Sequence, residues 1–349
     1  MQKKIIALAV AGLASTAAFA QTNVTIYGVA DVAYAYSFGG NEGAQHNIQS
    51  GGLSGSRIGF RGTEDLGNGL KALFVLEYGI DIDENDGIGN SFTAAGARQQ
   101  MIGLTGGFGT AVAGRLQTAG YDYACGVGAV AGSALDPYAK LGVGALLSCG
   151  GAGRANNAVA YISPNFGGFS FAYNHARVTE QSATSQNNDV YANLVAGNYV
   201  NGPVNVNFTV ARTDDKDTLA LAGQKRMEYG VRGSFNFGPA TAFAAYQTNR
   251  TDGFDRDNKW SLGVIVPVGA KGAFTAQYAG NDIENANDAD SDALTVAYMH
   301  SLSKRTTIYT GVTYVRNDDN AARAAGFETA VGAADNNTGV FALGLRHTF

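Results

Sequence analysis

The C-terminal stretch Gly339-Val-Phe-Ala-Leu-Gly-Leu-Arg-His-Thr-Phe349 alternates with a period of two residues. Large apolar side chains stand at Phe341, Leu343 and Leu345, and small or polar ones such as Arg346 occupy the positions between them. Successive side chains of a β-strand point to opposite faces, so this pattern predicts a strand with one apolar face and one small or polar face.

The same alternation recurs along most of the chain and predicts an all-β protein of sixteen antiparallel strands. Short connections rich in Gly, Asn or Pro alternate with longer loops, as expected for hairpins whose tight turns share one end. The strands are predicted near residues 24–37, 57–66, 70–83, 97–106, 109–117, 157–163, 169–178, 189–199, 203–212, 225–237, 239–249, 258–267, 271–280, 291–302, 304–316 and 338–349.

The composition excludes two broad classes of protein. The 349 residues have 45% hydrophobic content, and their mean hydropathy of −0.07 argues against a bundle of membrane helices, which needs long apolar runs. The formal net charge is −5 with a pI near 5.4, so the chain lacks the basic excess that binds nucleic acid. The 48 Gly and only 5 Pro fit a chain of many strands joined by tight turns.

The first twenty residues have the features of a secretory signal peptide. Lys3 and Lys4 precede an apolar run, and Ala18-Phe19-Ala20 provides a cleavage site of small residues. The sequence therefore predicts a signal peptide at 1–20 and a single barrel domain at 21–349, exported from the cytoplasm.

The apolar faces of the predicted strands have to be placed either in a dry core or against lipid. Aromatic residues near strand ends resemble the interfacial girdles of membrane barrels. An even number of strands with the long loops at one end is also typical of membrane barrels. In lipid, a sheet can hydrogen-bond all of its backbone N–H and C=O groups only if it closes into a barrel. We therefore predict a transmembrane β-barrel. The aromatic residues assigned to the apolar rows are Tyr27, Tyr34, Tyr36, Phe169, Trp260 and Phe349.

Several ordered motifs resemble the trimeric general-diffusion porins of Gram-negative outer membranes, in the branch that includes neisserial porins. They begin with Asn23-Val-Thr-Ile-Tyr-Gly-Val-Ala-Asp31, which resembles the first strand of that family. The remaining motifs are SRIGFRGTEDLGNGLKA at 56–72, RQQMIGLTGGFG at 98–109, Gly114-Arg115, NAVAYISP at 157–164 and the terminal Phe349.

The resemblance implies a water-filled outer-membrane channel for passive diffusion of small hydrophilic solutes and ions, with its third long loop folded into the lumen. It also implies that basic residues matching Arg57, Arg98 and Arg154 line the constriction. It further implies a homotrimer in the outer membrane. The terminal Phe349 resembles the signal that the barrel assembly machinery recognises.

The residues themselves place further charges at the constriction. On the predicted inward faces, Arg61 joins Arg57, and Arg115 follows on the fifth strand. The third loop contributes Asp122 and Asp136, which we expect to face these cations across the lumen. An excess of arginine over aspartate at a narrow point predicts a weak anion preference.

The third loop also contains both cysteines, Cys125 and Cys149. In an exported chain the predicted state is a disulfide that limits the movement of this loop. On the outside of the barrel, Gly28 and Ala30 form a small-residue patch, which we expect to contact another protomer. Outer-membrane lipid and lipopolysaccharide are the other expected partners.

The sequence predicts no enzyme, cofactor or metal site. The four His residues are scattered, and the carboxylates at 288–292 lack both the Gly and the final Glu of a calcium loop. A substrate-specific outer-membrane channel remains the main alternative. A membrane-barrel lipase is the second, but it would need an outward Ser–His pair that the sequence does not supply.

Overall fold

The computed structural model describes residues 23–41, 43–84, 87–88, 96–177, 190–215, 223–254, 256–284, 286–326 and 334–349. The predicted signal peptide lies outside these residues. Among the residues described, no helix is long and apolar enough to cross a bilayer.

Antiparallel strands make up almost all of the described regular structure. Their bounds are β1 Asn23–Gly39, β2 Gln45–Ser50, β3 Arg57–Gly67, β4 Leu70–Gly79, β5 Ala97–Gly106, β6 Gly109–Gln117, β7 Arg154–Ile162, β8 Phe169–Arg177, β9 Val190–Asn201, β10 Val204–Asp215, β11 Lys225–Asn236, β12 Thr241–Thr251, β13 Arg256–Val268, β14 Gly272–Ile283, β15 Ser291–Ser301, β16 Thr306–Asn317 and β17 Thr338–Thr348.

The sheet closes on itself through β1. One edge of β1 pairs with β17 from Val29↔Thr348 to Gly39↔Thr338. Along the other edge, its first half pairs with β3 and its second half with β2. β2 and β3 therefore fill one position of the barrel between them, which confirms the predicted barrel of sixteen. The short strand β2 lies between the first two predicted strands, where the sequence predicts no strand.

The C-terminus completes the closure. The Phe349 N–H donates to the Gly28 carbonyl at 3.1 Å, and the Gly28 N–H donates back to the Phe349 carbonyl at 3.1 Å. A Cβ on Gly28 would lie 2.3 Å from the Phe349 Cζ atom, so only glycine lets the ring pack here. This contact gives Gly28 a role within the protomer.

The two faces of the barrel wall differ as lipid outside and water inside require. Large apolar side chains are exposed on the outside, including Ile26, Ile102 and Leu262 at 57–66%. The facing rows inside the barrel carry small or polar residues such as Ala35 and Thr209. An exposed apolar outer surface around a closed sheet is the arrangement of a transmembrane barrel.

The loop between β6 and β7 turns into the barrel, which confirms the prediction for the third long loop. It contains the short helices α1, Ala119–Ala124, and α2, Pro137–Lys140. Its own apolar residues pack together, and the Cys125–Cys149 disulfide joins its two arms across a sequence separation of 24. We call residues 118–153 loop 3.

Candidate functional site

Strands β3 to β7 and loop 3 enclose an open cavity of about 860 Å³ inside the barrel. Four arginines line it, each from a different strand: Arg57, Arg98, Arg115 and Arg154. The structure thus places four of the five predicted constriction arginines around one space.

The carboxylate of Glu77 lies between two of these arginines. The Glu77 side chain on β4 lies 2.7 Å from the Arg98 Nε and 3.6 Å from the Arg57 Nε, measured to its nearest oxygens. Tyr27 donates its hydroxyl to the same carboxylate at 3.0 Å. Tyr27 therefore points into the lumen, and its assignment to the outer apolar row was wrong. Glu77 thus lies between two of the arginines.

An irregularity in the sheet directs Arg98 into the lumen. In β4 and β5 the register changes between Glu77↔Gln99 and Tyr78↔Ala97, so Arg98 is an extra residue in the ladder. Strict alternation would put Arg98 on the same side as Ile102, whose side chain is 66% exposed on the outside. The bulge reverses this orientation locally and brings Arg98 to Glu77.

Loop 3 contributes a tyrosine to the arginine group. The Tyr121 hydroxyl on α1 accepts from the Arg154 Nη2 at 3.1 Å and from the Arg98 Nη2 at 3.5 Å. The Arg154 Cζ also lies 4.6 Å from the Tyr121 ring centroid. A guanidinium over an aromatic face is attracted by the ring quadrupole, so Tyr121 holds Arg154 at the cavity edge.

Arg115 and Arg61 occupy different settings. Arg115 sits at a second irregularity, where Gly114 pairs with Ala158 and Leu116 pairs with Ala155. Its Nε donates to the Ala97 carbonyl at 2.6 Å, and its Nη1 donates to the Asn156 side chain. Arg61 lies outside the set of residues that line the cavity, with its Cζ 5.0 Å from the Tyr27 ring centroid.

The two predicted aspartates of loop 3 differ in exposure. Asp122 is exposed, and desolvation by the surrounding protein raises its pKa to about 6 against the lowering effect of Arg232. Asp136 is only 1% exposed and caps α2 by accepting from the N–H groups of Tyr138 and Ala139. Burial raises the pKa of Asp136 to about 6. Its carboxylate faces the interior of loop 3, and its predicted place at the constriction stays a prediction.

The opposite wall of the lumen binds loop 3 through polar side chains that sequence reasoning did not single out. Glu228 on β11 is 1% exposed and accepts from the N–H groups of Ala145, Leu146 and Leu147 at 3.0–3.1 Å. Its inward position in the alternation was the available signal. Further bonds to loop 3 carbonyls come from Gln247, Gln277, Asn281, Thr295 and Thr313.

The end of the first long loop supports loop 3 from another side. Asp31, fully buried on β1, accepts from the N–H groups of Leu53 and Ser54 at 3.0 and 2.7 Å and from the Tyr309 hydroxyl at 2.5 Å. The neighbouring Gly52 carbonyl accepts from the Ala134 N–H at 3.1 Å. Loop 3 is thus held at its tip as well as along one flank.

The chemistry of the site is that of a charged passage. Within the described ranges, no group of three or more His, Cys, Asp or Glu side chains is placed to hold a metal ion. The cavity is also lined by the carboxylates of Asp81, Asp83 and Glu84, near the ends of the strands that carry the long loops. Guanidinium and carboxylate groups around water can bind or repel passing ions without altering them.

Comparison with known proteins agrees with this architecture. A family model described as Gram-negative porin matches residues 7–320. Outer membrane porin protein 32 of Delftia acidovorans is 34% identical over 371 residues, which covers 100% of both chains. Major outer membrane protein P.IB of Neisseria gonorrhoeae is 35% identical over 185 residues, covering 50% of this chain and 48% of that protein.

The solved structure of an anion-selective porin from Comamonas acidovorans superposes with a TM-score of 0.75 at 30% identity. The match covers 94% of this chain and 100% of that one. The family match, the full-length relative and the closed barrel with loop 3 inside all agree on the family of this chain. This chain belongs to the Gram-negative porin family and forms a passive channel of the outer membrane.

Proposed function

We propose that the channel passes small hydrophilic solutes and ions with a weak preference for anions. The observation that carries this proposal is the grouping of Arg57, Arg98, Arg115 and Arg154 around one cavity, with the buried carboxylate of Glu77 paired to two of them. The solved relative named anion-selective supports the same direction.

The balance of charges depends on where each group lies. Of the other carboxylates that line the cavity, Asp83 and Glu84 are exposed near the long loops, where water and salt screen them over about 8 Å, and Asp81 beside them is half-buried. Arg98 is only 13% exposed beside the barrel wall. Charges near a low-dielectric wall interact several-fold more strongly than in bulk water, so the arginines dominate the passage.

The test is the reversal potential of the channel in a planar bilayer with a potassium chloride gradient. Two variants change the charge of the same ion pair in opposite directions: Arg98→Gln and Glu77→Gln. A unit charge some 6 Å from a passing ion is worth about a threefold change in occupancy in water. We therefore expect the chloride-to-potassium permeability ratio to fall about threefold in R98Q and to rise by a similar factor in E77Q.

Cation preference in the unaltered channel would contradict the proposal, and so would shifts of the same sign in both variants. Arg305→Gln is the matched control because this arginine is exposed in the turn after β15, away from the cavity. Its reversal potential should equal that of the unaltered channel.

The proposal includes a homotrimer, processing after Ala20 and recognition of the last strand by the barrel assembly machinery. The small outward side chain of Ala30 beside the closing seam supports close approach of another protomer. Sedimentation of the detergent-solubilised protein tests the homotrimer, and N-terminal sequencing of the mature chain tests processing after Ala20. Deletion of Phe349 tests recognition by the assembly machinery through the yield of folded barrel. A monomer, an N-terminus at Met1, or an unchanged yield would each remove the corresponding part.

A further inference from the structure

Large apolar side chains interrupt the lumen face of the same wall that carries the arginines. Val75 on β4 and Met101 on β5 are register partners, and Leu73 lies two residues from Val75 on β4. Alternation from the inward Glu77 puts Val75 and Leu73 on the lumen face, and the register puts Met101 beside them. All three apolar side chains are half-buried, so each keeps part of its surface in the lumen.

Val112 on β6 completes this apolar surface. Gly103 lies between Leu73 and Val112 in the register, and a Cβ on Gly103 would lie 2.6 Å from the Val112 Cγ1 atom. The Val112 side chain therefore occupies the space over this glycine. Leu73 and Met101 pack against the buried apolar cluster to which Val112 belongs. We call Leu73, Val75, Met101 and Val112 the apolar strip.

The apolar strip begins one inward position beyond the arginine group, toward the short turns. Val75 lies two residues from Glu77, or about 7 Å along the strand. Glu77 is the carboxylate that pairs with Arg57 and Arg98. On the neighbouring strand β3, the exposed Arg61 is the register partner of Val75. Cationic side chains thus stand both before the strip and beside it.

The strip remains open because loop 3 is bonded to the other wall. Glu228 and Gln247 on that wall hold the loop backbone, as described above. Water next to half-exposed apolar side chains is displaced favourably by an apolar group. The adjacent guanidinium groups favour a ligand with a negative charge. The wall therefore offers complementary surfaces to a solute that has an anionic end and an apolar body.

We propose that the arginine group and the apolar strip together bind small aromatic monocarboxylates during passage. Guanidinium groups hold the carboxylate through charge-assisted hydrogen bonds. The ring then lies on Val75 and Met101, about 7 Å farther along the wall. The Met101 thioether makes favourable contacts with an aromatic ring, and Arg61 attracts the ring face.

The carboxylate of Glu77 does not exclude such a ligand. It already accepts hydrogen bonds from Arg98 and from the Tyr27 hydroxyl, and Arg57 lies 3.6 Å away. Four arginines line the adjoining cavity, so positive charge exceeds negative charge where the carboxylate of the ligand would bind. The inference deepens the proposed anion preference and rests on it.

The experiment measures block of the single-channel chloride current by potassium benzoate. It uses the purified full-length mature channel in a planar bilayer, with benzoate replacing chloride at constant ionic strength. Potassium acetate supplies the carboxylate without the ring, and benzyl alcohol supplies the ring without the charge. The measured quantity is the ratio of the half-blocking concentrations of acetate and benzoate.

We expect this ratio to be about five, because roughly 40 Å² of apolar surface leaves water when the ring meets the strip. In the double variant Val75→Thr with Met101→Gln the ratio should fall to about two, since polar side chains of similar size replace the apolar ones. Val75→Thr alone keeps the branched shape and should lose part of the ratio, so it serves if the double variant folds poorly.

Ile265→Thr is the matched control. Ile265 is a half-buried apolar residue on β13, and its register partner Thr275 is buried inside the barrel. The acetate-to-benzoate ratio of I265T should equal that of the unaltered channel. Arg98→Gln should weaken block by both acids to a similar extent, because it removes a charge that both of them use.

Three results would overturn the inference. The first is equal half-blocking concentrations of benzoate and acetate in the unaltered channel. The second is an unchanged ratio in V75T/M101Q, which would place the ring elsewhere in the lumen. The third is block by benzyl alcohol as strong as that by benzoate, which would deny the arginines a role.

The potassium chloride reversal potential separates this inference from the proposed function. A chloride preference together with equal block by benzoate and acetate would remove the aromatic site alone. A cation preference in potassium chloride would contradict the proposed function and, with it, this inference.

Discussion

The two sides of the lumen use polar side chains in different ways. On the side formed by β11 to β16, inward groups such as Glu228 and Gln247 are buried and bonded to the backbone of loop 3. On the side formed by β3 to β7, Arg57, Arg98 and Arg154 share a few partners and face open space. One side is a protein interior, and the other is the wall of a passage.

The contrast shows how a barrel lined with polar residues obtains a narrow channel. Buried polar groups have to be hydrogen-bonded, and loop 3 supplies those bonds along one wall. The same loop then stands as a fixed partition opposite the arginines. Its anchoring determines the width of the passage, and the arginines determine which ions prefer it.

The largest expected effect comes from releasing loop 3 at Glu228. In Glu228→Gln the side chain loses one acceptor oxygen, and its amide donors face three backbone N–H groups. We expect a free energy of unfolding lower by about 2–4 kcal/mol, since buried donors lose a charged acceptor. We also expect a larger and more variable single-channel conductance, because loop 3 no longer stays against β11.

Denaturant unfolding in detergent and single-channel recording measure these two quantities. Glu64→Gln provides the control, because it makes the same chemical change at an exposed carboxylate on β3. Unchanged conductance and stability in E228Q would show that the other bonds to loop 3 hold it without this carboxylate.

Alternation and tight turns predicted the barrel, and the family resemblance supplied Arg57, Arg98 and Arg154 as residues of the constriction. Strict alternation alone would have pointed Arg98 outward, since a bulge beside Glu77 reverses the alternation there. Tyr27 is a different case, because alternation along β1 puts it on the face opposite the exposed Tyr34 and Tyr36, and its assignment to the outer row followed residue type rather than alternation.

The anchoring of loop 3 was also beyond the reach of sequence patterns. Glu228 stands at an inward position like other lumen residues, and only the path of loop 3 turns it into a buried acceptor. Asp136 shows the converse, because helix capping removes from the lumen surface a carboxylate that a loop position alone suggests is exposed. Long-range packing decided both outcomes.

A smaller effect is expected from the disulfide, which lies on the open side of loop 3. Cys125 and Cys149 both line the cavity, and their bond closes 24 positions of sequence. In the double variant Cys125→Ser with Cys149→Ser we expect up to about 3 kcal/mol less stability, from the chain entropy that the crosslink removes.

Conductance of that double variant should change little, because Glu228 still holds the other flank of loop 3. The comparison of C125S/C149S with E228Q in the same bilayer experiment therefore ranks the two restraints. A conductance increase in C125S/C149S as large as that in E228Q would show that the open side of loop 3 needs its own restraint.

The smallest expected effect is a pH dependence that distinguishes Asp122 from Asp136. Desolvation raises the pKa of both to about 6, from an ordinary value of 3.8. A raised pKa favours the neutral folded form, so each group's contribution to stability is present below pH 4 and is lost as the pH rises through about 6.

Only Asp122 is exposed, so only its ionisation should alter permeation. Between pH 7 and pH 5 it loses its negative charge, and the passage beside Arg232 becomes more positive. We expect the chloride preference to increase on acidification by no more than about twofold, since exposed charges are screened.

Two variants assign this pH effect to one of the two aspartates. In Asp122→Asn the part of the change in chloride preference that depends on Asp122 should disappear. In Asp136→Asn that change should remain, and the pH dependence of stability should change instead. If D136N rather than D122N removed the change in reversal potential, the buried cap of α2 would have to be open to the lumen, and the contrast between the two walls would fail at that point.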